Sequence, residues 1–397
     1  MKNVFRQAKD LQEDLVKARR YLHECAETGF ALAQTLAFVR EELKKLGYEP
    51  QKCGKAGLIA TVGKGNRCFL LRADMDALHI PEKSGERFAC KNGNMHACGH
   101  DLHTAMLLGA ARLLKEHEEK LNGQVKLLFQ PAEEILEGAK NVVKAGVLEN
   151  PKVHAAMALH VATGVELATG TAVVASGVSA PAADYFTIEV QGKGCHGATP
   201  WSGVDALTVA ARILLALQEI HARELSLAHS AVLTVGTIEG GTAGNAVCDF
   251  ALLRGTLRAF DEDTRTRIKR RMEEIAKNIA NAFRAKAKIV YEGGCPTLVS
   301  DQALSAFALD RARKLLGENA AFSAVELSGD ERAKSGGSED FAYISREVPS
   351  VMVSLAAGEK GKGYEYPLHH PQVTFDENAL CVGAALYAHI AIEWLKE

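Results

Sequence analysis

Helical patterns and short apolar strand patterns alternate from the N-terminus to about residue 180, and no other feature narrows the possible fold as much. The strand patterns lie at 57–62, 68–72, 125–130 and 155–160, and the helical ones at 10–22, 33–46 and 103–117. Strands separated by helices pair in parallel, because a parallel connection needs a long crossover. The expectation is therefore an α/β fold: a mostly parallel central sheet flanked by helices, with any chemistry placed at the carboxyl ends of its strands.

The stretch 184–296 breaks this rhythm. A strand at 185–190 is followed by a helix at 205–222, and strands at 230–238 and 248–260 are joined through the turn GGTAGN. A charged helix at 261–284, with Asp261 at its start, and a last strand at 288–292 complete a β-α-β-β-α-β order. That order is the one of an α+β ferredoxin-like unit. Alternation then resumes with a helix at 301–316, a strand at 350–355 and a helix at 377–395. At 397 residues the chain is too long for one core. The expected organisation is a discontinuous catalytic domain, 1–183 and 297–397, carrying one inserted domain, 184–296. SGDERAKSGGSED reads as a flexible Gly/Ser loop.

Composition removes several classes of function. With 47% hydrophobic and 24% charged residues the chain is globular, and a net charge of −2 lacks the basic bias of a nucleic-acid binder. No apolar run approaches the roughly 20 residues that span a bilayer. The opening MKNVFRQAKDLQEDLVKARRYL reads as an amphipathic helix and not as a signal peptide, so a cytoplasmic protein without nucleic-acid or membrane partners is expected. The nine cysteines are odd in number and scattered, which suits buried free thiols. GKGNR after the strand ending at Val62 is not the GxGxxG turn of a nicotinamide-binding oxidoreductase.

The densest chemical signal is NMHACGHDLHTA, with His96, Cys98, His100, Asp101 and His103 in eight positions before a helix. Cys98 and His100 can reach one metal region, since thiolate and imidazole are good ligands for zinc-like ions; the same segment would also serve as a helix cap with surface histidines. LLFQPAEE ends an apolar strand in Glu133 and Glu134. Adjacent side chains do not share a face, so one carboxylate can bind metal while the other accepts a proton from activated water; a solvated loop pair is the plainer reading. His160 closes the apolar segment AAMALH, and either His369 or His370 of YPLHHP could complete a site, although each alone would pass for an ordinary core or surface residue.

The segments RADMDALHI, MHACGHD, FQPAEE, ALHV, GCHGATP, SEDFAY and LHHP, in this order, resemble the aminoacylase and glutamate-carboxypeptidase family of two-metal peptidases. They look most like its N-acyl-amino-acid amidohydrolase branch, with hippurate hydrolases, indole-acetyl-amino-acid hydrolases and N-acetyl-diaminopimelate deacetylases. The resemblance implies that Cys98, His100, Glu134, His160 and His369 bind two divalent metal ions, with zinc or manganese expected and cobalt or nickel also admitted. It matches Glu133 to the general base and His196, in GCHGATP, to a residue that stabilises the oxyanion, in related enzymes sometimes from a partner subunit. It also implies that the catalytic domain, 1–183 and 297–397, is the metal-binding one, that 184–296 is a lid or dimerisation domain, and that the chain forms a homodimer, with a tetramer as the alternative. The chain departs from the family pattern at Trp201, where His is common, and at Ile135 and Leu136, where Gly is common, and these changes bear on the acyl pocket.

The activity expected on this basis is hydrolysis of an N-acyl amino acid, N-acetyl, N-benzoyl or similar, to a carboxylic acid and a free amino acid. Asn245 and Arg258 of the inserted domain are candidates for holding the substrate carboxylate, although they would equally pass for a turn Asn and a strand-surface Arg. Asp76 is a candidate for orienting a ligand histidine, or for capping a turn. A dipeptidase or carboxypeptidase of the same family is the nearest alternative, and a non-catalytic metal-binding protein of the same fold is a more distant one.

Overall fold

The computed structural model describes residues 2–329 and 336–397, and the expected loop SGDERAKSGGSED lies partly outside the described residues. These residues separate into two compact units: one of 2–179, 299–329 and 340–397, the other of 180–298 and 336–339. In chain order the first unit opens with α1 (Lys2–Asp10), α2 (Gln12–Cys25), α3 (Ala33–Lys45), β1 (Gln51–Cys53), β2 (Gly57–Lys64) and β3 (Cys68–Asp74). It continues with α4 (His100–Glu116), β4 (Gly123–Gln130), α5 (Gly138–Lys144), β5 (Ala155–Ala162), β6 (Ala172–Val174) and β7 (Gly177–Ala180). The second unit holds β8 (Ala182–Gln191), β9 (Cys195–His196), α6 (Ala206–Glu219), β10 (Ala231–Gly240), β11 (Ala246–Val247), β12 (Phe250–Ala259), α7 (Glu262–Ala282) and β13 (Lys286–Cys295). The chain returns through β14 (Leu298–Ser300), α8 (Gln302–Leu316), β15 (Ala321–Ser323), α9 (Ala324–Ser328), α10 (Ala342–Ser345), β16 (Ser350–Ala356) and α11 (Ala379–Trp394).

The sheet of the first unit runs β1-β2-β4-β3-β5-β16-β6-β15. Its centre, β4-β3-β5-β16, is parallel throughout, while β1, β2 and β6 pair antiparallel toward the edges. The α/β expectation therefore agrees with the fold. Every residue of β3 is buried, as befits a central strand with both faces covered. Helix α11 is apolar almost all round and α4 is buried along most of its length, and both belong to the main core.

One expected helix, 10–22, is part of two, α1 and α2, interrupted at Leu11. Val4, Ala8, Leu11, Leu15 and Leu22 are all buried, so one apolar stripe passes through the interruption and hides it from the sequence pattern.

In the second unit the sheet order is β10-β12-β8-β13, all antiparallel. Taken with the β8-α6-β10-β12-α7-β13 sequence, this is a ferredoxin-like arrangement. Phe186, Ile188 and Val190 alternate on the buried face of β8 and meet Val209, Ile213 and Leu217 of α6 and Ile268 and Met272 of α7. Asp261 caps α7, its carboxylate accepting from the Thr264 N–H at 2.7 Å.

Candidate metal centre

The site begins where two central strands part. The β3–β5 ladder ends at the pair Arg72 and Ala158. Beyond it, side chains from two helices take the place of the ladder. Tyr387 of α11 donates its hydroxyl to the Arg72 carbonyl at 2.7 Å and accepts from the Leu159 N–H at 3.0 Å. His103 of α4 accepts from the Val161 N–H through Nε2 at 2.8 Å, so its Nδ1 carries the proton that goes to Asp74. The backbone groups freed by the parting are thus satisfied, and the strands part at their carboxyl ends, where ligands bind in sheets of this kind.

Five of the residues singled out from the sequence converge there. His160 lies on β5, His100 is the first residue of α4, Cys98 precedes it, Glu134 follows β4, and His369 lies on the segment after β16. The Cys98 Sγ is 3.5 Å from His160 Nε2 and 3.3 Å from His369 Nε2. His369 Nε2 lies 3.6 Å from one Glu134 oxygen, and His100 Nε2 3.8 Å from the other. These atoms form overlapping groups that could hold a metal ion: Cys98 with His100 and His160, Cys98 with Glu134 and His369, and His100 with Glu133 and Glu134. His370, by contrast, turns its ring onto Tyr366, with centroids 4.2 Å apart.

The electrostatics favour neutral imidazoles, the form that binds cations. Burial holds His100 well below its usual range and, together with nearby His103, pulls His160 down to about 4; burial lowers His369 as well. His100 donates Nδ1–H to the Asp76 carbonyl at 2.8 Å. Its Nε2 is buried and has no hydrogen-bond partner among the described residues. A buried nitrogen lone pair left in that state is costly unless something electropositive meets it.

Glu133 and Glu134 are placed by the backbone. The Asp76 carboxylate accepts from the Glu133 N–H at 2.9 Å and from the Glu134 N–H at 3.2 Å, so it holds the turn while its carbonyl orients His100. Burial pushes Asp76 up to about 7, against the pull of those two N–H groups. Ala132 and Leu136, on either side of the pair, have φ of 56° and 55°, and His369 has 65°. Non-glycine residues in the left-handed region are strained, and such strain concentrates at functional sites. Arg72, Asp74, His103, Gln130 and Asp340 carry no assignment from spacing, although RADMD, DLHT and SEDF contain four of them.

Behind Cys98 and His100 a latch joins α2 to α4. Arg19 Nε and His23 Nδ1 both reach one oxygen of Asp101, at 2.8 and 2.9 Å, and His23 Nε2 meets Glu82 at 3.0 Å. Burial disfavours a charged His23, but Asp101 and Glu82 outweigh it and push the imidazole up to about 8.

The remaining candidates lie in the second unit. His196 on β9 is paired with Ala246, and the Gly197 N–H donates to the Asn245 carbonyl at 2.7 Å, so His196 and Asn245 are neighbours. Arg258 lies on β12 between Val232 and Ala183, its guanidinium 5.5 Å from the centre of the Tyr185 ring. The Arg258 Nη1 is buried without a hydrogen-bond partner among the described residues.

Two predictions follow from this geometry. Gly99, between Cys98 and His100, has φ of 84°, and an added Cβ would lie 2.4 Å from Val161 Cγ2. Gly99→Ala combines left-handed strain with overpacking and should lower unfolding free energy by about 2–4 kcal/mol in denaturant titrations. Because the folded-state pKa of His23 is raised above its ordinary 6.5, its contribution is fully present below pH 6.5 and is lost as pH rises through about 8. Wild type should lose about 2 kcal/mol more than His23→Gln between pH 6 and 9.5, and identical pH slopes would contradict the latch.

Residues 70–393 match the model of peptidase family M20/M25/M40. The N-acetyl-L-cysteine deacetylase of Bacillus subtilis (strain 168) is 37% identical over 374 residues, covering 93% of this chain and 85% of that protein. An IAA-amino acid hydrolase of Arabidopsis thaliana, ILR1-like 4, is 37% identical over 396 residues, covering 98% and 87%. The crystal structure of a dinuclear metal binding peptidase from the M20 family of Bacillus subtilis superposes with a TM-score of 0.79 at 32% identity, covering 98% of this chain and 99% of that one. A family match over most of the chain, relatives similar over most of their length, and a shared fold lead to one statement: the chain belongs to peptidase family M20/M25/M40.

Proposed function

We propose that this protein is a metal-dependent amidohydrolase that cleaves N-acyl amino acids to a carboxylic acid and a free amino acid. The observation that carries the reading is the convergence of one thiol, three imidazoles and a carboxylate at the strand ends, with a second carboxylate, Glu133, beside them. The relatives named for deacetylation of N-acetyl-L-cysteine and for hydrolysis of an IAA-amino acid act on bonds of this class.

The donor set suits a pair of divalent cations. His100 offers a buried nitrogen with no hydrogen-bond partner among the described residues, and the low pKa of His160 keeps its ring neutral. Cys98, His100 and His160 would hold one ion, and Cys98, Glu134 and His369 the other. Zinc suits the thiol and the imidazoles, and manganese the carboxylate. Bound there, two ions would supply a water of lowered pKa and a Lewis acid for the amide carbonyl.

Glu133 removes a proton from the attacking water as its oxygen bonds to the amide carbon. The same carboxyl then gives the proton to the nitrogen as the carbon–nitrogen bond breaks, which leaves Glu133 ionised again and releases acid and amine. His196 serves the developing oxyanion as a donor. Arg258 and Asn245 serve the substrate carboxylate; the buried Nη1 of Arg258, without a hydrogen-bond partner among the described residues, supports this, since such a group gains from an anion.

A homodimer formed through the second unit is part of the proposal. Strand β10 is at the sheet edge, and Val232, Ile238 and Leu215 are exposed on that unit. Among the described residues no helix is long and apolar enough to cross a membrane. Nine free cysteines, one of them a proposed ligand, suit a reducing, cytoplasmic setting.

With N-acetyl, N-benzoyl and dipeptide substrates, Glu133→Gln should lose about 10²–10⁴-fold in kcat while bound metal is unchanged. Cys98→Ala should lose metal by elemental analysis. Normal turnover of Glu133→Gln, or a wild type that cleaves dipeptides alone, would contradict the assignment. Arg258→Ala should raise KM for an acylamino acid by about 10–100-fold with kcat little changed. An unaltered KM would remove it from carboxylate binding.

A further inference from the structure

A chain of buried charges runs behind the site. Asp340 is fully buried, and its carboxylate accepts from Arg72 Nη2 at 2.9 Å, Gln130 Nε2 at 2.7 Å and the Ala139 N–H at 2.8 Å. Its own backbone N–H points to Glu133 and donates to Oε1 at 3.4 Å. Arg72, equally buried in the central strand, pairs on its other side with Asp74, and Asp74 accepts from His103. His103 holds the Val161 N–H and lies against the ring of His160, with centroids 4.7 Å apart. One guanidinium therefore joins two arms: one ends at Glu133, the other at the strand that carries His160.

We propose that Asp340 is a positioning residue for Glu133, and that the two arms of Arg72 serve different tasks: Asp340 sets the proton-accepting carboxylate, and Asp74 with His103 sets the metal-binding histidines. The inference rests on the reading of Glu133 as the base. A buried carboxylate needs several donors to offset its desolvation, and donors from three separate elements also fix where it lies. The Asp340 carboxylate is fixed by β3, β4 and the start of α5, so its N–H is fixed with it and the Glu133 side chain is held at its tip. At its base Glu133 is held by Asp76. A base held at both ends keeps one orientation toward the reacting water, and a small misplacement of such a group costs about 10²-fold. A merely structural role for the network would affect both arms alike.

The two arms are separable by experiment. In metal-loaded protein acting on an N-acyl amino acid, Asp340→Asn should lower kcat by about 10–100-fold with KM changed less than about threefold. Its metal content and metal affinity, measured by elemental analysis and calorimetry, should remain those of wild type. His103→Asn should do the reverse and weaken metal affinity by about 10–100-fold, as lost partners of metal ligands do. If Asp340→Asn does not fold, Gln130→Met removes a neutral partner and leaves the charges paired, and should give the same split with a drop of about 3–10-fold in kcat. An Asp340→Asn enzyme with full kcat, or one that loses metal in step with activity, would overturn the inference while the hydrolase reading stands. A metal-loaded wild type inactive on every N-acyl amino acid would remove that reading first, and the inference with it.

Discussion

The separation of β3 from β5 beyond Arg72 is the constraint on which the rest depends. Parallel strands in a buried sheet lose backbone partners when they diverge, and the loss is tolerable only if other groups replace them. Here Tyr387 and His103, from helices on the sheet, supply that replacement. The same His103 turns its second nitrogen to Asp74, so the device that permits the opening also joins the charge network beneath it. Opening, ligand placement and buried charge are three aspects of one arrangement.

Several compact features concentrate at that opening. Asp76 holds the turn of Glu133 and Glu134 with its carboxylate and His100 with its carbonyl. Gly99 permits the sharp entry to α4 that brings Cys98 and His100 to one place. Three non-glycine residues of positive φ, Ala132, Leu136 and His369, lie in the segments that carry Glu133, Glu134 and His369 itself. The surrounding core pays for this strain, since both β3 and α4 are buried almost entirely.

The α/β alternation was legible because buried central strands and amphipathic helices differ in period and length, and 57–62, 68–72, 125–130 and 155–160 all fall inside observed strands. The three-residue strands β1, β6, β14 and β15 were not legible, since so short a stretch has no period. The interruption at Leu11 was hidden by a continuous apolar stripe. Within the site, MHACGHD and PAEE were conspicuous because they crowd donor atoms into few positions. Arg72 was not, because it stands in an apolar strand where a lone charge looks like an edge residue, and its partner Asp340 is 268 residues away. Only folding brings that pair together, as it does Asp76 with the two glutamates.

The claim underlying all of this is that Cys98, His100, Glu134, His160 and His369 surround a pair of cations with Glu133 alongside. Anomalous diffraction from crystals of metal-loaded protein, recorded on either side of the metal absorption edge, tests it most directly. The account predicts two anomalous peaks about 3.5–4 Å apart, within bonding distance of those five side chains. No peak there, or peaks among other residues while these five side chains stay unliganded, would contradict it.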